Sequence, residues 1–145
     1  MGLLPYTTYY VHNDIIVINV NPDGEIAWLS HVPKTQITTD DGGYYSSYLM
    51  MVEKDRINFV YNDHRKNAER LREGRDLKNM GNVKKTVAVI ATVDQEGKVS
   101  YDQLYSNKNF KAVLVPKRSH QVDRQNVLLF GTRGSKSRFG KMSLK

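Results

Sequence analysis

The fold is decided by the stretch Asp14-Ile-Ile-Val-Ile-Asn-Val-Asn-Pro-Asp-Gly-Glu-Ile-Ala-Trp28. Its first half is a run of mostly β-branched side chains, which favour extended strands. The turn residues Asn21-Pro-Asp-Gly24 follow, and glycine readily adopts the positive φ that many tight turns require. After Glu25, the second half is apolar and ends on the indole of Trp28. The stretch therefore predicts a β-hairpin that turns at Gly24.

A second copy of this pattern lies 73 residues further along (Gly24 to Gly97), in Val87-Ala-Val-Ile-Ala-Thr-Val-Asp-Gln-Glu-Gly-Lys-Val-Ser-Tyr101. The same offset sets Trp28 on Tyr101. Self-similarity at a fixed period is typical of proteins in which one supersecondary unit is copied in tandem. We therefore predict a second hairpin, superimposable on the first and turning at Gly97.

The second half of each copy predicts two further strands. In the first repeat, residues 48–52 and 56–61 form an apolar pair of runs around a polar turn. In the second repeat, residues 112–116 and 126–130 occupy the corresponding positions. The chain is then one β-rich domain, residues 1–145, with repeats of about 14–62 and 86–131, a polar connection over 63–85 and a closing strand over 138–144.

Two repeats of four strands predict an all-β protein made of two four-stranded antiparallel units. A β-sandwich or an open barrel built from the same strands is the alternative arrangement. The predicted core consists of the apolar strand residues Ile16, Ile18, Val20, Trp28, Val52, Phe59, Val89, Val93, Val113, Leu129 and Phe130.

A four-stranded meander repeated in tandem, with a glycine turn after its first strand, resembles a β-propeller blade. Four segments (15–28, 40–48, 59–63 and 138–141) look like the C-terminal blades of a group of uncharacterised β-propeller-like proteins of Bacteroidota. The resemblance implies a blade-type fold and a place in the cell envelope or outside the cell, but no activity. Propellers typically have about four or more blades, so about two blades imply further partners: a larger protein or other copies of the chain.

Charge is distributed unevenly along the chain, whose net charge is +7. Residues 1–64 carry three basic and eight acidic side chains, a net charge of −5. Residues 65–145 carry the other 19 basic side chains and seven acidic ones, a net charge of +12. Such asymmetry favours a polyanionic partner or contact between the unlike ends of neighbouring copies. A solvated basic surface is the alternative interpretation.

Composition excludes several kinds of chemistry. The chain has no cysteine, which rules out disulfides, thiolate catalysis and cysteine-ligated zinc. No apolar run approaches the roughly 20 residues of a membrane-spanning helix, and no signal peptide is visible. The four histidines are scattered along the sequence. We therefore predict no metal site, no cofactor and no catalytic residue, and the sequence leaves the compartment open.

One loop combines adjacent carboxylates with aromatic residues. Asp40 and Asp41 are followed by two glycines and by Tyr44, Tyr45 and Tyr48. Carboxylates in such a loop could bind a cation or act as an acid–base pair, and tyrosines stack on sugars. These five residues are a candidate ligand site. The alternative is a turn set by its Asp-Gly geometry, with tyrosines that cover the edge of the core.

Cations cluster towards the C-terminus. The candidate anion-binding residues are Lys117, Arg118, Arg133, Lys136, Arg138 and Lys141. Interleaved Phe130 and Phe139 would suit single-stranded nucleic acid, although the same aromatics could face the core.

The sequence favours a non-catalytic protein-assembly or ligand-binding module that belongs to a larger envelope-associated assembly. Its partner would be a protein, either a second copy of the chain or the remainder of a larger complex. Two other functions remain open. One is a basic binder of nucleic acid or another anionic polymer, and the other is a glycan hydrolase that uses Asp40 and Asp41.

Overall fold

The backbone forms twelve strands and two short helices over residues 4–144, the part of the chain that this computed structural model describes, the side chain of Lys84 excepted. The strands are β1 (Tyr9–Val11), β2 (Ile15–Val20), β3 (Ile26–Val32), β4 (Ile37–Thr39), β5 (Leu49–Val52), β6 (Arg56–His64), β7 (Thr86–Asp94), β8 (Val99–Ser106), β9 (Val113–Leu114), β10 (His120–Gln121), β11 (Asn126–Arg133) and β12 (Lys136–Ser143). The helices are α1 (Asn67–Arg72) and α2 (Asn107–Phe110), and single 3-10 turns span Val83–Lys85 and Pro116–Arg118. No helix within the described range has the length and apolar character needed to cross a membrane.

The strand pairing is antiparallel and includes two four-stranded sheets. The central sheet has the order β5-β6-β7-β8. The C-terminal sheet has the order β10-β11-β12, and β9 also pairs with β11. β2 pairs with β3, and β1 pairs with β4. The predicted all-β class with two four-stranded antiparallel units is confirmed.

The sheets are displaced by half a unit from the sequence repeats. The central sheet combines the last two strands of the first repeat, β5 and β6, with the first two strands of the second, β7 and β8. β6 and β7 pair along their whole length, from Arg56 opposite Asp94 to His64 opposite Thr86. The two repeats are therefore joined within one sheet. The polar connection that contains α1 links its two middle strands, β6 and β7, which are neighbours in the sheet.

Three layers stack because both faces of the central sheet are apolar. On one face, Phe59 and Val89 pack against Ile15 and Val32 of the β2–β3 hairpin. The opposite face packs against the C-terminal sheet, where the buried residues are Leu49, Met51, Val60, Ala88, Leu114, Val127 and Leu129. Burial on both sides explains why β7 is apolar at every position from Val87 to Ala91.

Both predicted hairpins are present, and their turns share the same backbone hydrogen bonds. The amide of Gly24 donates to the carbonyl of Asn21 (2.9 Å), as that of Gly97 does to Asp94 (3.0 Å). Both glycines have positive φ, +92° and +80°. Pairing next to each turn is also equivalent, since Val20 opposes Ile26 and Val93 opposes Val99. The hairpins differ in where an irregularity shifts the register, between Asn19 and Val20 in one and between Ala88 and Val89 in the other.

The predicted core is correct for the second repeat and largely wrong for the first. Phe59, Val89, Val93, Val113, Leu129 and Phe130 are buried, and Trp28 is half-buried. Ile16, Ile18, Val20 and Val52 are instead each 51–54% exposed. Side chains alternate along a strand, so the packing of Ile15 and Val17 on the central sheet turns Ile16 and Ile18 outward. Val52 lies on β5, which is an edge of the central sheet.

Trp28 ties the first hairpin to the turn of the second. Its indole packs against the apolar cluster of the hairpin and the central sheet, and its Nε1 donates to the carbonyl of Gln95 (2.8 Å). Trp28→Ala is therefore expected to lower the free energy of unfolding by about 2–4 kcal/mol, and Trp28→Phe by about 1 kcal/mol. Urea titration followed by circular dichroism measures both values. Equal stability of Trp28→Ala and the native chain would contradict this packing.

Candidate functional site

The carboxylates of the tyrosine loop accept hydrogen bonds from the loop itself and from the segments beside it. Asp40 Oδ1 accepts from the amide of Thr8 (2.9 Å). Asp41 Oδ1 accepts from the hydroxyl of Thr38 (2.7 Å) and from the amide of Gly43 (2.8 Å). These bonds hold a turn in which Asp40 itself has a positive φ of 51°. The arrangement matches the turn interpretation of this loop.

The three tyrosines of the loop spread over two layers and do not line a common site. Tyr48 packs edge-on against Phe59 of the central sheet, with ring centroids 5.2 Å apart. Tyr44 lies under the guanidinium of Arg118, 5.5 Å from the ring centroid to Cζ. Tyr45 Oη lies 3.1 Å from Thr132 Oγ1 in the C-terminal sheet. The loop therefore binds the central and C-terminal sheets together.

One cavity brings together residues from both predicted sites. Tyr45 and Arg133 line a space of about 370 Å³ beside α2, together with Asn107, Thr132 and Val113. The amide oxygen of Asn107 has no hydrogen-bond partner, but it is itself buried and so is closed off from solvent in that space. The cavity therefore offers an apolar wall and exposed cations at its rim, while Thr132, the other buried polar residue of its lining, already has Tyr45 as its partner.

A buried polar network, which the sequence analysis missed, lies under the segment between β3 and β4. Lys34 is 1% exposed, and its Nζ donates to Gln36 Oε1 (2.9 Å) and to the carbonyl of His12. Gln36 Nε2 donates to the carbonyl of Asn62 (2.8 Å), whose own side chain donates to the carbonyl of Leu114 (2.7 Å). The network ties the segment to β6 and β9. A polar side chain in a loop gives no sequence signal of burial.

Two charged groups of this network titrate far from their usual ranges. Burial lowers the pKa of Lys34 from 10.5 to about 8, although Asp63 and Asp14 act in the opposite direction. Burial raises the pKa of Asp63 from 3.8 to about 6, against hydrogen bonds from Asn67 and from the amide of His64. Such shifts also occur at catalytic sites, but Lys34 lies almost wholly out of reach of solvent. The pair is therefore a structural feature.

The Asp63 carboxyl should make stability depend on pH between about 4 and 6. Because its pKa is raised, the folded state binds this proton more tightly, and the free energy of unfolding falls as pH rises from 3.8 to about 6. Two pKa units correspond to about 3 kcal/mol. The native chain should lose about 2–3 kcal/mol of its free energy of unfolding over this range, and Asp63→Asn, which has no carboxyl at this position, should not. The free energy of unfolding of Asp63→Asn minus that of the native chain should therefore increase by about 2–3 kcal/mol. Urea titrations at several pH values measure the difference, and a pH-independent difference would contradict the shift.

The β2–β3 hairpin leaves an apolar surface uncovered. The hairpin face consists of Ile16, Ile18, Val20, Ile26 and Leu29, which are each between 51% and 62% exposed. Antiparallel pairing places them on one side, because Ile18 opposes Leu29 and Val20 opposes Ile26. Large exposed apolar patches are uncommon on monomeric proteins and are typical of surfaces that bind a partner.

The candidate cations all lie at the C-terminal end of the fold, and the structure separates them into three positions. Lys117 and Arg118 lie on the 3-10 turn, Arg133 and Lys136 flank the β11–β12 turn, and Arg138 and Lys141 lie on β12. All six are exposed. None of them forms an ion pair with a carboxylate within residues 4–144. Arg118 alone is held by aromatic rings, those of Tyr44 and Phe130.

The outer side of the C-terminal sheet combines apolar and basic side chains. The C-terminal face consists of Val122, Leu128, Phe139 and Lys141. Lys141 opposes Leu128 across β11 and β12, and the neighbouring pairs that include Val127 and Met142 point the other way, into the core. Val122 and Phe139 are 61% and 66% exposed. Val122, Leu128 and Lys141 also line a depression of about 280 Å³.

No family model, no curated protein and no solved structure matches this chain. The resemblance to propeller blades is therefore still a hypothesis, and the two exposed faces are the features that bear on function. In the described part of the chain, no three His, Asp or Glu residues lie close enough together to hold a metal ion.

Proposed function

We propose that this protein is a non-catalytic assembly module, and that its hairpin face docks another β-sheet layer. The observation that carries this proposal is the exposure of five large aliphatic side chains on one sheet face. Leaving such side chains in water is unfavourable by about 25 cal/mol for each Å² of apolar surface, so a partner that covers them gains affinity.

The internal repeat supports this role, since it pairs the exposed face with one that is covered. Ile16, Ile18 and Val20 of the first hairpin correspond to Val89, Ala91 and Val93 of the second. Those three residues are buried, because the first hairpin itself packs on them. On this face the second hairpin is covered by the first hairpin, which precedes it in the chain. The same face of the first hairpin is uncovered, so another layer can bind there. Successive layers stacked in this manner are the arrangement expected of propeller-type blades within a larger assembly.

The proposal is tested by site-specific crosslinking in the cells that make the protein. An ultraviolet-activated residue at position 18 is expected to form adducts with protein. The same residue at position 69, on the exposed side of α1, is the matched control. Adducts at 18 that are absent at 69 agree with docking through the hairpin face. No adduct at 18, from a chain whose circular dichroism is native, would refute the assembly role.

A second candidate function is supported by the unpaired cations. Six exposed basic side chains without carboxylate partners lie at three positions in the C-terminal part of the fold, and one of them, Lys141, shares a side of β12 with the exposed ring of Phe139. Cations combined with an exposed aromatic ring suit an anionic polymer. Binding to single-stranded DNA measured at increasing salt tests it. Replacing Arg133, Lys136 and Arg138 with glutamine should reduce the slope of log affinity against log salt by about two to three. Replacing Lys66, Arg72 and Lys78, which are also exposed, should leave the slope unchanged if the site is specific.

A further inference from the structure

We infer that the layer received by the hairpin face is the C-terminal face of a second copy of this chain, in a head-to-tail contact. This inference rests on the proposed function and names its partner. Both surfaces lie on the outermost layers of the three-layer stack, and they lie on opposite sides of the central sheet. One copy can therefore present its hairpin face to one neighbour and its C-terminal face to another.

The shapes of the two faces support this pairing. The hairpin face is a row of branched aliphatic side chains that project from two paired strands. The C-terminal face carries a depression of about 280 Å³, lined by Val122, Leu128 and Lys141 and lying beside the exposed ring of Phe139. An aliphatic side chain can enter such a depression, while the phenyl ring covers its neighbours. Apolar contact at the centre, with charges at the rim, is the usual composition of a protein interface.

Charge selects the head-to-tail contact over the symmetric ones. Residues 14–32, which contain the hairpin, include Asp14, Asp23 and Glu25 and no lysine or arginine. Residues 113–144 include seven lysines and arginines, with Asp123 as their single acidic residue. Two hairpin faces in contact would bring acidic rims together, and two C-terminal faces would bring basic ones together. Contact between unlike faces is attractive, and it speeds association at low salt.

Asp123 also lines the depression, and it offsets one of these basic charges, because its hydrogen bonds lower its pKa and keep the carboxylate ionised. Its two oxygens accept from Nδ2 of Asn126 at 2.9 and 2.8 Å, and Oδ1 also accepts from the amide of Gln125 (2.8 Å). The carboxylate is thus held by its own turn.

A head-to-tail contact is heterologous, so each added copy exposes a new hairpin face, and the contact builds rings or open chains of molecules.

Complementation between two single-face variants tests the inference. Ile18→Lys disables the hairpin face, and Phe139→Glu disables the C-terminal face, at residues that are both more than half exposed. In light scattering at low salt, the native chain should form oligomers larger than a dimer, and each variant alone should be a monomer. An equimolar mixture should form dimers and nothing larger, because only one live contact remains. Higher salt should slow the association.

Controls separate folding from assembly. Met50→Lys, at a position that is 53% exposed and outside both faces, should assemble like the native chain. Ile18→Thr keeps a β-branched strand residue, and it should weaken assembly with an unchanged thermal midpoint, in case Ile18→Lys does not fold.

Two results would overturn the inference. One is a native chain that stays monomeric up to about 1 mM, a concentration above the Kd of any specific complex of moderate strength. The other is a Phe139→Glu variant that still forms dimers, since it would show a symmetric contact between hairpin faces. If position 18 crosslinks to a different protein, the proposed assembly role stands even when either of these results is obtained. Failure of that crosslinking refutes both.

Discussion

Gly97→Ala is expected to destabilise the protein by about 2–5 kcal/mol. A Cβ at this position would lie 2.7 Å from Cδ2 and 2.8 Å from Cε3 of Trp28, and 2.9 Å from Oγ of Ser30. The glycine also has a φ of +80°, a conformation that costs a non-glycine residue about 1–2 kcal/mol. Relieving the overlap by moving the indole would add about 1–3 kcal/mol, since Trp28 is packed and hydrogen-bonded to Gln95.

The internal repeat supplies a matched control for this substitution. Gly24 is the equivalent glycine of the first hairpin and has a φ of +92°, yet no atom lies within 4 Å of the Cβ that an alanine would add. Gly24→Ala should therefore cost only the backbone term of about 1–2 kcal/mol. Urea titrations of both variants measure the two free energies. Equal costs would show that the indole does not pack on the Gly97 turn, and that the first hairpin is held differently.

Lys34→Met is expected to destabilise the protein by about 3–5 kcal/mol at neutral pH, because it leaves a buried carboxylate without its nearby cation. Lys34 donates to Gln36 and to the carbonyl of His12, and its charge opposes the burial that raises the pKa of Asp63. Without the ammonium group, that pKa should rise further. The loss of stability should thus be smaller at pH 4, where Asp63 is protonated in both chains.

The double variant with Lys34→Met and Asp63→Asn tests this coupling. Removing both charges takes away the desolvation cost of each, so the double variant should recover most of the stability lost in Lys34→Met. Thermal and urea unfolding at pH 7 measure the three chains. Additive losses in the double variant would contradict an electrostatic interaction between the two buried charges.

Lys34 itself should produce a second pH dependence, opposite in direction to that of Asp63. Its pKa is lowered to about 8, so the folded state releases this proton more easily than the unfolded chain does. Its contribution to the free energy of unfolding therefore increases as pH rises from about 8 to 10.5. In Lys34→Met this increase should be absent, and urea titrations between pH 8 and 10 measure it.

Turn chemistry and strand patterns were predicted well because they depend on neighbouring residues. The glycine of each Asn-Pro-Asp-Gly or Asp-Gln-Glu-Gly turn adopts positive φ, and the flanking β-branched runs form the hairpins. The all-β antiparallel class followed from these local signals together with the repeat. The half-unit displacement between the repeats and the sheets did not follow, since the pairing of β6 with β7 spans the long polar connection.

In the tyrosine loop, too, the local turn was predictable from neighbouring residues and the long-range contacts were not. An Asp-Gly turn is one of the two interpretations that the sequence gives for this loop, and Asp41 does accept from the loop amide of Gly43. That Tyr45 would reach Thr132, 87 residues away, has no local signal. The burial of Lys34 and Gln36 has none either, because it depends on acceptors that other segments bring to them.

Local chemistry alone therefore accounts for the hairpins, their glycine turns, the repeat and the opposite charges of the two ends of the chain. Which face of each strand is covered follows from the stacking of layers. Ile16 and Val89 occupy equivalent places in near-identical patterns, yet one is exposed and the other buried. The physical reason is that a fully apolar strand can bury either face, and burial is decided by the layer that happens to lie on it. The exposed hairpin face, on which the proposed function depends, thus arises from tertiary packing.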